Sequence, residues 1–573
     1  MPRRLGALLC VVALGLAACT SDDSGSSSDS TAATETSAGA ATTDPAPLEV
    51  TPITLVPNPE NVLSATLIFT TTTPTTATLH ISGPGSDRLE PAATEPATEH
   101  EIAAVGMRAD STYELTIAVT DEAGQTASPP PVTFTTGSLP ADIPPLIVTS
   151  DPEQMAPGLT LFPLTHRADP PAVEGQPPPM LGLLVAVDAE GNVVWYHRAP
   201  SPIGDARLLD NGNILYEYND MGAREIDLSG QVVREWAGIL ERGRLATDQF
   251  GRTIAGADAI PVETDSIHHE INQLPNGNFL ALSTELRDVD GFTTPQCGEP
   301  AEGFTGSYQL ISDVIVEFVP DTGEIVNEWK LADYFEPQTN PADANVCGID
   351  IPFIVPNFLY VAEGEVHDWT HANAAVLDEE RNAILISIRH LNAVLAIRYA
   401  DDAEGESGDV LWRLGPDGSL DLEGEGELQY HQHAPEVQSD GTILLYDNGN
   451  ERPGTDPAAT DPAGRPYSRA VRYSIDDDAE TVTQEWEYRS TVGGAPAYAF
   501  FVGDADLLEN GNVLVTNGGL VDPPTTAVQL VEVEPAASAG GNVVSELRVD
   551  EAGWFTYRAR RVPSLYVGGP DAG

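Results

Sequence analysis

The chain has 573 residues, of which 41% are hydrophobic, and its formal net charge at pH 7 is −61. Such an acidic surface repels phosphate backbones and anionic lipid headgroups, so we expect no nucleic-acid partner. Lys330 is the only lysine, and no glycine-rich segment precedes it. This excludes a phosphate-binding P-loop and argues against a cofactor bound as a Schiff base.

Residues 1–18 have the pattern of a bacterial lipoprotein signal peptide. Arg3 and Arg4 precede an apolar run over residues 5–16, and Leu16-Ala17-Ala18-Cys19 resembles a lipobox. We therefore expect cleavage before Cys19, lipidation of its thiol, and an exported lipoprotein anchored to a membrane in the periplasm or at the cell surface. The alternative is an ordinary secretory signal followed by a chance cysteine.

The next two segments differ in composition. Residues 19–49 are mostly Ser, Thr, Ala and Asp, which cannot bury a core, so we expect a disordered tether. Residues 50–138 contain several runs of alternating apolar and polar residues, such as 113–119. This alternation predicts a small antiparallel β-sandwich of the immunoglobulin or fibronectin type III class. Nothing in that segment indicates chemistry.

From residue 139 onward the chain repeats a two-part unit. One part is Asn-Gly-Asn between apolar runs, as at 211–213, 276–278 and 510–512, and it predicts a type I′ hairpin with positive φ at both central residues. The other part starts with Asp and a turn and ends in a tryptophan, which we expect to pack between neighbouring sheets. Five of the seven tryptophans lie there: Trp195, Trp236, Trp329, Trp412 and Trp486.

Six such units, each with about four strands and no convincing helix, predict an all-β chain. We expect residues 139–573 to form a six-bladed β-propeller in which the chain ends share a blade. The alternative is a pair of stacked sandwiches. The units lie near residues 158–197, 204–236, 267–331, 367–414, 431–488 and 503–549.

Seven of the eleven histidines lie between residues 268 and 433. His269 and His433 each precede the turn glycine of their unit by eight residues, and His371 has nearly the same offset. Equivalent positions at the start of innermost strands surround the axis of a propeller, so these three are predicted to meet there. Taken individually, the other four are expected to have packing roles: His268, His367, His390 and His431.

Arg389 lies one strand after His371. Its guanidinium fork matches the oxygens of a sulfate, a phosphate or a carboxylate. In so acidic a chain, one arginine beside neutral histidines predicts a selective anion site.

Four segments, in this order, resemble the bacterial arylsulfate sulfotransferases. The resemblance covers about residues 145–550, and a sandwich ahead of a propeller also fits that family. The segments are His268-His269-Glu270 before Leu274-Pro275-Asn276-Gly277-Asn278, Asp368-Trp369-Thr370-His371-Ala372-Asn373, Ser387-Ile388-Arg389-His390, and Gln432-His433-Ala434 before Asp447-Asn448-Gly449, with Ser468-Arg469-Ala470-Val471 also similar.

The resemblance implies a ping-pong reaction without a nucleotide sulfate donor. A phenolic sulfate would sulfurylate His433, and a phenol would remove the sulfuryl group from the resulting sulfohistidine. Arg389 and Asn373 would hold the sulfuryl oxygens, and His371 and His269 would donate hydrogen bonds or move the phenolic proton. No cofactor and no metal are expected. Further substrate contacts are expected from His268, Gln432 and Asn448.

Two cysteines remain once Cys10 is removed with the signal peptide and Cys19 is lipidated. In an oxidising compartment, Cys297 and Cys347 are expected to form a disulfide. The alternative is two free thiols, because a sequence does not give the geometry of the pair.

Other classes of function stay open. A metal-dependent hydrolase could bind a divalent ion with the three axial histidines and Glu270 or Asp368. A non-catalytic propeller that binds a ligand at the cell surface is the second alternative, and a quinoprotein dehydrogenase is a third and weaker one.

Overall fold

The computed structural model describes residues 47–167, 180–218, 221–240, 244–245, 255–294, 304–337, 366–456, 458–522 and 526–566. Contacts divide the chain into Met1–Pro47 and Leu48–Gly573, and the β-structure described below belongs to the second unit. The predicted signal peptide, most of the tether, Cys19, Cys297 and Cys347 lie outside the described residues.

Regular structure in the described residues is almost entirely β, which confirms the all-β prediction. Its helical segments are three short 3₁₀ turns: Leu331–Asp333, Arg389–Leu391 and Pro462–Gly464. None of the described helices is long and apolar enough to span a bilayer.

The N-terminal sheet contains the first six strands. Its order is β1-β2-β4-β5, with β3 also paired to β2 and β6 to β4, all antiparallel. Buried and more exposed residues alternate along β4, so one face of the strand packs on the core. The strands are β1 (Thr54–Pro57), β2 (Ala65–Gly83), β3 (Ser86–Ala104), β4 (Thr112–Asp121), β5 (Thr126–Ala127) and β6 (Val132–Thr135).

The remaining strands follow from residue 147. They are β7 (Ile147–Ser150), β8 (Leu159–Arg167), β9 (Met180–Val187), β10 (Val193–Ala199), β11 (Ile203–Leu208), β12 (Ile214–Tyr218), β13 (Gly222–Ile226), β14 (Val232–Leu240), β15 (Arg244–Leu245), β16 (Ile260–Val262), β17 (His268–Gln273), β18 (Phe279–Thr294), β19 (Phe304–Phe318), β20 (Ile325–Lys330), β21 (Val366–Asp368), β22 (Ala372–Asp378), β23 (Ala383–Ile388), β24 (Ala393–Arg398), β25 (Val410–Leu414), β26 (Asp421–Glu423), β27 (His433–Val437), β28 (Ile443–Asp447), β29 (Arg469–Asp476), β30 (Thr481–Tyr488), β31 (Thr491–Val492), β32 (Ala495–Pro496), β33 (Tyr498–Phe501), β34 (Asp504–Leu507), β35 (Val513–Asn517), β36 (Gly519–Asp522), β37 (Val528–Pro535), β38 (Gly541–Val549), β39 (Trp554–Phe555) and β40 (Arg560–Val562).

Most of these strands form six sheets, numbered in chain order. Sheet 1 has the order β10-β9-β8-β39, with β40 also on β8, and sheet 2 has β11-β12-β13-β14-β15, with β16 on β14. Sheet 3 is β17-β18-β19-β20 with β21 on β19, and sheet 4 is β22-β23-β24-β25. Sheet 5 is β26-β30-β29-β28-β27, and sheet 6 is β34-β35-β37-β38-β7. Two small pairs, β31-β32 and β33-β36, complete the set.

The sheets pack on one another in a cyclic order. A cluster of buried apolar side chains joins sheets 1 and 2 and includes the N-terminal sheet, and further clusters join 2 with 3, 3 with 4, 4 with 5 and 5 with 6. A sixth cluster joins sheet 6 back to sheet 1, for example through Leu530 and Phe162. Each of the five repeat tryptophans lies in a different one of these clusters, as the repeat predicts.

Both chain ends contribute strands to sheets formed mainly by the opposite end. The early strand β7 pairs with β38 in sheet 6, and the late strands β39 and β40 pair with β8 in sheet 1. The prediction that the chain ends share sheets is thus confirmed.

The turn type expected for Asn-Gly-Asn was wrong. The amide of Gly212 donates to the carbonyl of Leu209, and Gly212 has φ 84°, but Asn211 is not in the positive-φ region. The loop is therefore a type I turn followed by a left-handed glycine, which is the usual three-residue hairpin. The side-chain oxygen of Asn211 instead accepts a hydrogen bond from the amide of Asn213. This bond stabilises the turn with Asn211 outside the positive-φ region.

Candidate active site

Four strands that lie at the edge of their sheets have irregular pairing near their starts. Register shifts interrupt β11, β17, β22 and β27 within their first few residues. His269 and His371 also have positive φ, 57° and 52°, which is uncommon for a side chain other than glycine. Bulges and strained backbone re-aim side chains and are concentrated at functional sites.

The structure brings the three predicted axial histidines together around one tyrosine. The rings of His269 and His371 lie 5.1 Å apart between centroids, edge to face. The ring of Tyr557 lies 5.9 Å from that of His269 and 6.5 Å from that of His433. Residues from sheets 3, 4 and 5 and from the C-terminal segment therefore line one site.

His433 is buried and neutral. Burial, followed by the positive charge of Arg389, holds the pKa of His433 well below its usual value of 6.5. Its Nδ1 lies 2.7 Å from Oδ1 of Asn448. A neutral imidazole keeps one bare nitrogen, which is what a nucleophile requires.

His371 has a charged partner. Its Nδ1 lies 2.5 Å from Oδ2 of Asp368, and its ring stacks on that of His390 with centroids 4.7 Å apart. Burial is the main reason why the pKa of His390 lies well below its usual value. The contact with Asp368 fixes the orientation of the His371 ring beside His269 and His390.

His269 is linked to a second histidine. The Nδ1 atoms of His268 and His269 lie 2.7 Å apart, and Nε2 of His268 lies 3.1 Å from Oδ1 of Asp313. Burial and then the neighbouring His268 hold the pKa of His269 well below 6.5. The ring of His269 is therefore neutral near pH 7 and suited to hydrogen bonding.

Arg389 is a buried cation without a carboxylate partner among the described residues. Its Nη2 donates to the carbonyl of Phe500 over 3.1 Å, and its guanidinium lies 5.5 Å from the Phe500 ring centroid. In the described part of the chain its Nε has no hydrogen-bond partner. Burial lowers the pKa of Arg389 to about 10, so it stays charged at neutral pH. A buried guanidinium with an unused donor is a receptor for an anionic group.

A sequence model of the arylsulfotransferase (ASST) family matches residues 148–558. The chain belongs to the arylsulfotransferase family. It is 25% identical over 284 residues to arylsulfate sulfotransferase AssT of Escherichia coli O6:H1, a match covering 42% of each chain. It is 23% identical over 262 residues to AssT of Lelliottia amnigena, covering 38% of this chain and 42% of the relative. The aligned part thus spans less than half the length of either relative.

Two solved structures illustrate that the structural similarity of this chain to known folds is weak. A variant of Synechocystis apocarotenoid oxygenase covers 73% of this chain and 94% of its own, with 9% identity and a TM-score of 0.31. BamB of Moraxella catarrhalis covers 70% of this chain and 98% of its own, with 11% identity and a TM-score of 0.24. Neither similarity is strong enough to support an argument about fold or function.

Three residues predicted to contact the substrate use their side-chain amides within the protein. Asn373 donates to the carbonyl of Gln432 over 2.8 Å, and its buried Oδ1 has no partner within the described ranges. Gln432 donates to the carbonyl of Ala393 over 2.8 Å and to the Ser387 hydroxyl. Asn448 binds His433 and two backbone carbonyls. These bonds tie β22 and β27 to their neighbours, and substrate contact by the three residues stays a prediction.

Sequence reasoning missed two residues of this site, Tyr557 and Arg558. The Tyr557 hydroxyl donates to the carbonyl of Asn373, and Nη1 of Arg558 lies 2.5 Å from Oε1 of Glu270. Both lie between β39 and β40, beyond the last repeat unit. The expectation that the chain ends share a blade could have pointed to these two residues, because the pairing of β39 and β40 with β8 returns the C-terminal segment to the site.

Proposed function

We propose that the chain transfers a sulfuryl group from an aryl sulfate to a phenol, with His433 as the nucleophile. The observation that carries this proposal is a pair of buried side chains. Arg389 is a guanidinium with no carboxylate partner in the described residues, and it lowers the pKa of the neutral imidazole of His433. The negative charge of a bound sulfate ester would pair with the guanidinium of Arg389. Nε2 of His433 would supply the lone pair that attacks sulfur.

In the first half-reaction, Nε2 of His433 attacks sulfur, and the bond from sulfur to the aryl oxygen breaks. Arg389 holds the sulfuryl oxygens, on which charge is concentrated in a loose transition state. The aryl oxygen leaves with the bonding electrons and takes a proton from His371, whose ring is oriented by Asp368. His269, held neutral by burial, donates a hydrogen bond.

In the second half-reaction, an acceptor phenol gives its proton back to His371 and attacks sulfur. The bond from sulfur to Nε2 breaks, and its electron pair returns to His433. Each half-reaction thus has a lower activation barrier than direct transfer between two phenols, and the reaction needs no nucleotide sulfate donor.

We also propose that the six sheets are the blades of a six-bladed β-propeller and that residues 50–138 form an immunoglobulin-like or fibronectin-like sandwich. The cyclic order of the six apolar clusters and the shared chain ends support the propeller. Alternating burial along β4 supports the sandwich.

We further propose an exported lipoprotein, anchored through Cys19, with a disulfide between Cys297 and Cys347. The charged start, apolar run and lipobox-like end of residues 1–19 support export and lipidation. Mass spectrometry of membrane-extracted protein tests both modifications: a diacylglyceryl group on Cys19, and a cross-linked peptide pair that reduction separates.

Steady-state kinetics test the sulfuryl transfer. We expect nitrophenolate release from 4-nitrophenyl sulfate to require an added phenol, to persist in EDTA, and to give parallel double-reciprocal plots as the phenol is varied. Release that follows intersecting plots, or that water alone supports equally well, contradicts the proposal.

A metal-dependent hydrolysis is the second candidate, favoured by one observation. Asp368, His371 and His390 offer ligand atoms within 4.8 Å of one another. Glu270 is a poorer ligand, since it binds Arg558 and the amide of Ala375. Activity that EDTA removes and Zn²⁺ restores supports this candidate against the sulfotransferase.

A further inference from the structure

The orientation of the Asn448 side-chain amide is fixed by its surroundings. Its Nδ2 donates to the carbonyls of Ala499 and Val502, each over 2.8 Å, and the residue is fully buried. If the amide were rotated by half a turn, its oxygen would face two carbonyl oxygens with no hydrogen between them. A buried amide does not adopt that arrangement, because three polar groups would lose their bonds.

The fixed amide determines the tautomer of His433. Because Oδ1 of Asn448 only accepts hydrogen bonds, the Nδ1 atom of His433, 2.7 Å away, carries the hydrogen. Nε2 is then the bare nitrogen. The Ser468 hydroxyl secures the backbone of Asn448, since it donates to the Asn448 carbonyl over 2.8 Å and accepts the amide of Ala499 over 2.9 Å.

The partner of His433 differs in kind from that of its neighbour. Nδ1 of His371 faces the carboxylate of Asp368, whereas Nδ1 of His433 faces a neutral amide. A carboxylate is basic enough to remove a proton from a sulfurylated imidazole ring, and an amide oxygen is not. The difference matters only after His433 has been sulfurylated.

We propose that Asn448 is a positioning residue that keeps the Nδ1 hydrogen on His433 through both half-reactions, so that the sulfohistidine ring stays cationic and reactive. This inference rests on the proposed function. When Nε2 bonds to sulfur, the aryl oxygen leaves with its electron pair and the ring becomes an N-sulfoimidazolium that retains its Nδ1 hydrogen. When the acceptor oxygen bonds to sulfur, the electrons of the N–S bond return to Nε2 and regenerate neutral His433.

Without that hydrogen, the sulfurylated ring would be a neutral N-sulfoimidazole. When its bond to sulfur breaks, this ring would leave as an imidazolate anion, which is a far worse leaving group than a neutral imidazole. Asn448→Asp offers a carboxylate that can take the proton, so it is expected to prolong the life of the intermediate. Asn448→Ala removes the acceptor altogether and is expected to slow sulfurylation about three- to tenfold, the loss for one buried hydrogen bond.

The test follows both half-reactions of the full chain by rapid quench and intact mass. The protein is sulfurylated with 4-nitrophenyl sulfate, freed of excess donor, and mixed with phenol. We expect Asn448→Asp to slow loss of the sulfuryl adduct at least about tenfold relative to the unmodified chain. Asn517→Asp is the matched control, because Asn517 is buried and binds Tyr446, Ser490 and Gln529 rather than a histidine.

Adduct loss at the same rate in Asn448→Asp and the unmodified chain overturns the inference, and so does equal slowing by Asn517→Asp. If the unmodified chain forms no adduct, the proposed function itself fails, which is a distinct result. A measurement that needs no variant is ¹⁵N NMR of histidine-labelled protein. It is expected to show the hydrogen of His433 on Nδ1, and a hydrogen on Nε2 overturns the inference even if the variants do not fold.

Discussion

The histidines of the site share one chemical group and differ in what contacts their Nδ1 atoms. Nδ1 of His433 contacts an amide oxygen, that of His371 a carboxylate, and that of His269 another imidazole. These contacts are the basis of the roles that we propose for the three histidines: nucleophile for His433, proton carrier for His371 and hydrogen-bond donor for His269. The assignments lead to two predictions at the scale of single residues.

Arg389→Met is expected to lower kcat/KM for an aryl sulfate by about 10²- to 10³-fold, because it removes the charge that stabilises the sulfuryl oxygens. Arg398→Met is the matched control: Arg398 is also buried, in the adjacent strand β24, but it forms a salt bridge with Asp402. Initial rates with 4-nitrophenyl sulfate and phenol make the comparison. Similar losses in both variants contradict a special role for Arg389.

The acid limb of the pH profile reports the protonation of His433. Since burial and Arg389 lower its pKa, His433 stays neutral below pH 6.5, where an ordinary histidine becomes protonated. We therefore expect kcat/KM for the donor to hold its plateau down to below pH 6.5, and the limb to move to higher pH in Arg389→Met. A limb at or above pH 6.5 in the unmodified chain would show that His433 is not held neutral in this way.

Sequence could locate His269, His371, His433 and Arg389, because their positions follow from the register of the repeat. It could not show how Asn373 and Gln432 use their amides, since their acceptors are backbone carbonyls of other strands and loops. Tyr557 escaped prediction for a related reason. It follows the last repeat, and the pairing of β39 and β40 with β8 returns it to the site.

At the scale of elements, the tryptophans that end five of the six repeat units pack between one sheet and the next. The indole of Trp195 donates to the carbonyl of Leu228 beside sheet 2, that of Trp236 to Pro320 beside sheet 3, and that of Trp486 to Gly540 beside sheet 6. A recurring Asp-turn-strand-Trp pattern therefore predicts sheet contacts as well as strands. The positions of the Asn-Gly-Asn hairpins were predicted correctly, but the turn type was wrong. Asn-Gly usually forms a two-residue loop, whereas the loop here also includes the residue before the first Asn.

Trp236→Phe is expected to destabilise the fold more than Trp412→Phe. Both side chains are buried between sheets, but the Trp236 indole donates to the Pro320 carbonyl over 2.7 Å, whereas the Trp412 indole nitrogen has no partner among the residues that the structure describes. The difference should be about 1 kcal/mol, the net contribution of one hydrogen bond. Urea unfolding of the two variants measures it, and equal losses would assign the tryptophans a packing role alone.

At the scale of the whole molecule, the cyclic set of sheets encloses carboxylates from several strands. Asp504 and Asp506 of β34 are buried near the half-buried Glu436 of β27 and Arg560 of the strand β40. Burial and then Glu436 raise the pKa of Asp506 to about 7. Because these groups join the strands β27, β34 and β40, we expect the stability of the second unit to depend on the protonation of the carboxyls.

The direction in which the free energy of unfolding changes with pH follows from the raised pKa of Asp506. Between about pH 4 and pH 7 the folded chain retains a proton that the unfolded chain releases, so the free energy of unfolding falls as pH rises through that window. Asp506→Asn removes this pH dependence. The free energy of unfolding of the variant, relative to that of the unmodified chain, should therefore increase by on the order of 1 kcal/mol or more from pH 5.5 to pH 8. Denaturation at both pH values measures it. Asp440→Asn, at a carboxyl whose pKa is lowered by the Thr442 hydroxyl, should show no such gain.

The central claim is that His433 carries the sulfuryl group between two phenols, and intact mass spectrometry tests it most directly. The full chain is incubated with 4-nitrophenyl sulfate without an acceptor, and the site of any adduct is mapped by peptide fragmentation. We expect a mass increase of one sulfuryl group on His433, lost when phenol is added, absent in His433→Ala and retained in His197→Ala. His197 is the control because it is half-buried, its pKa is lowered to about 4 mainly by burial, and it lies in sheet 1. A chain that turns over aryl sulfate and phenol without ever carrying the adduct, or that carries it on another residue, would contradict the account.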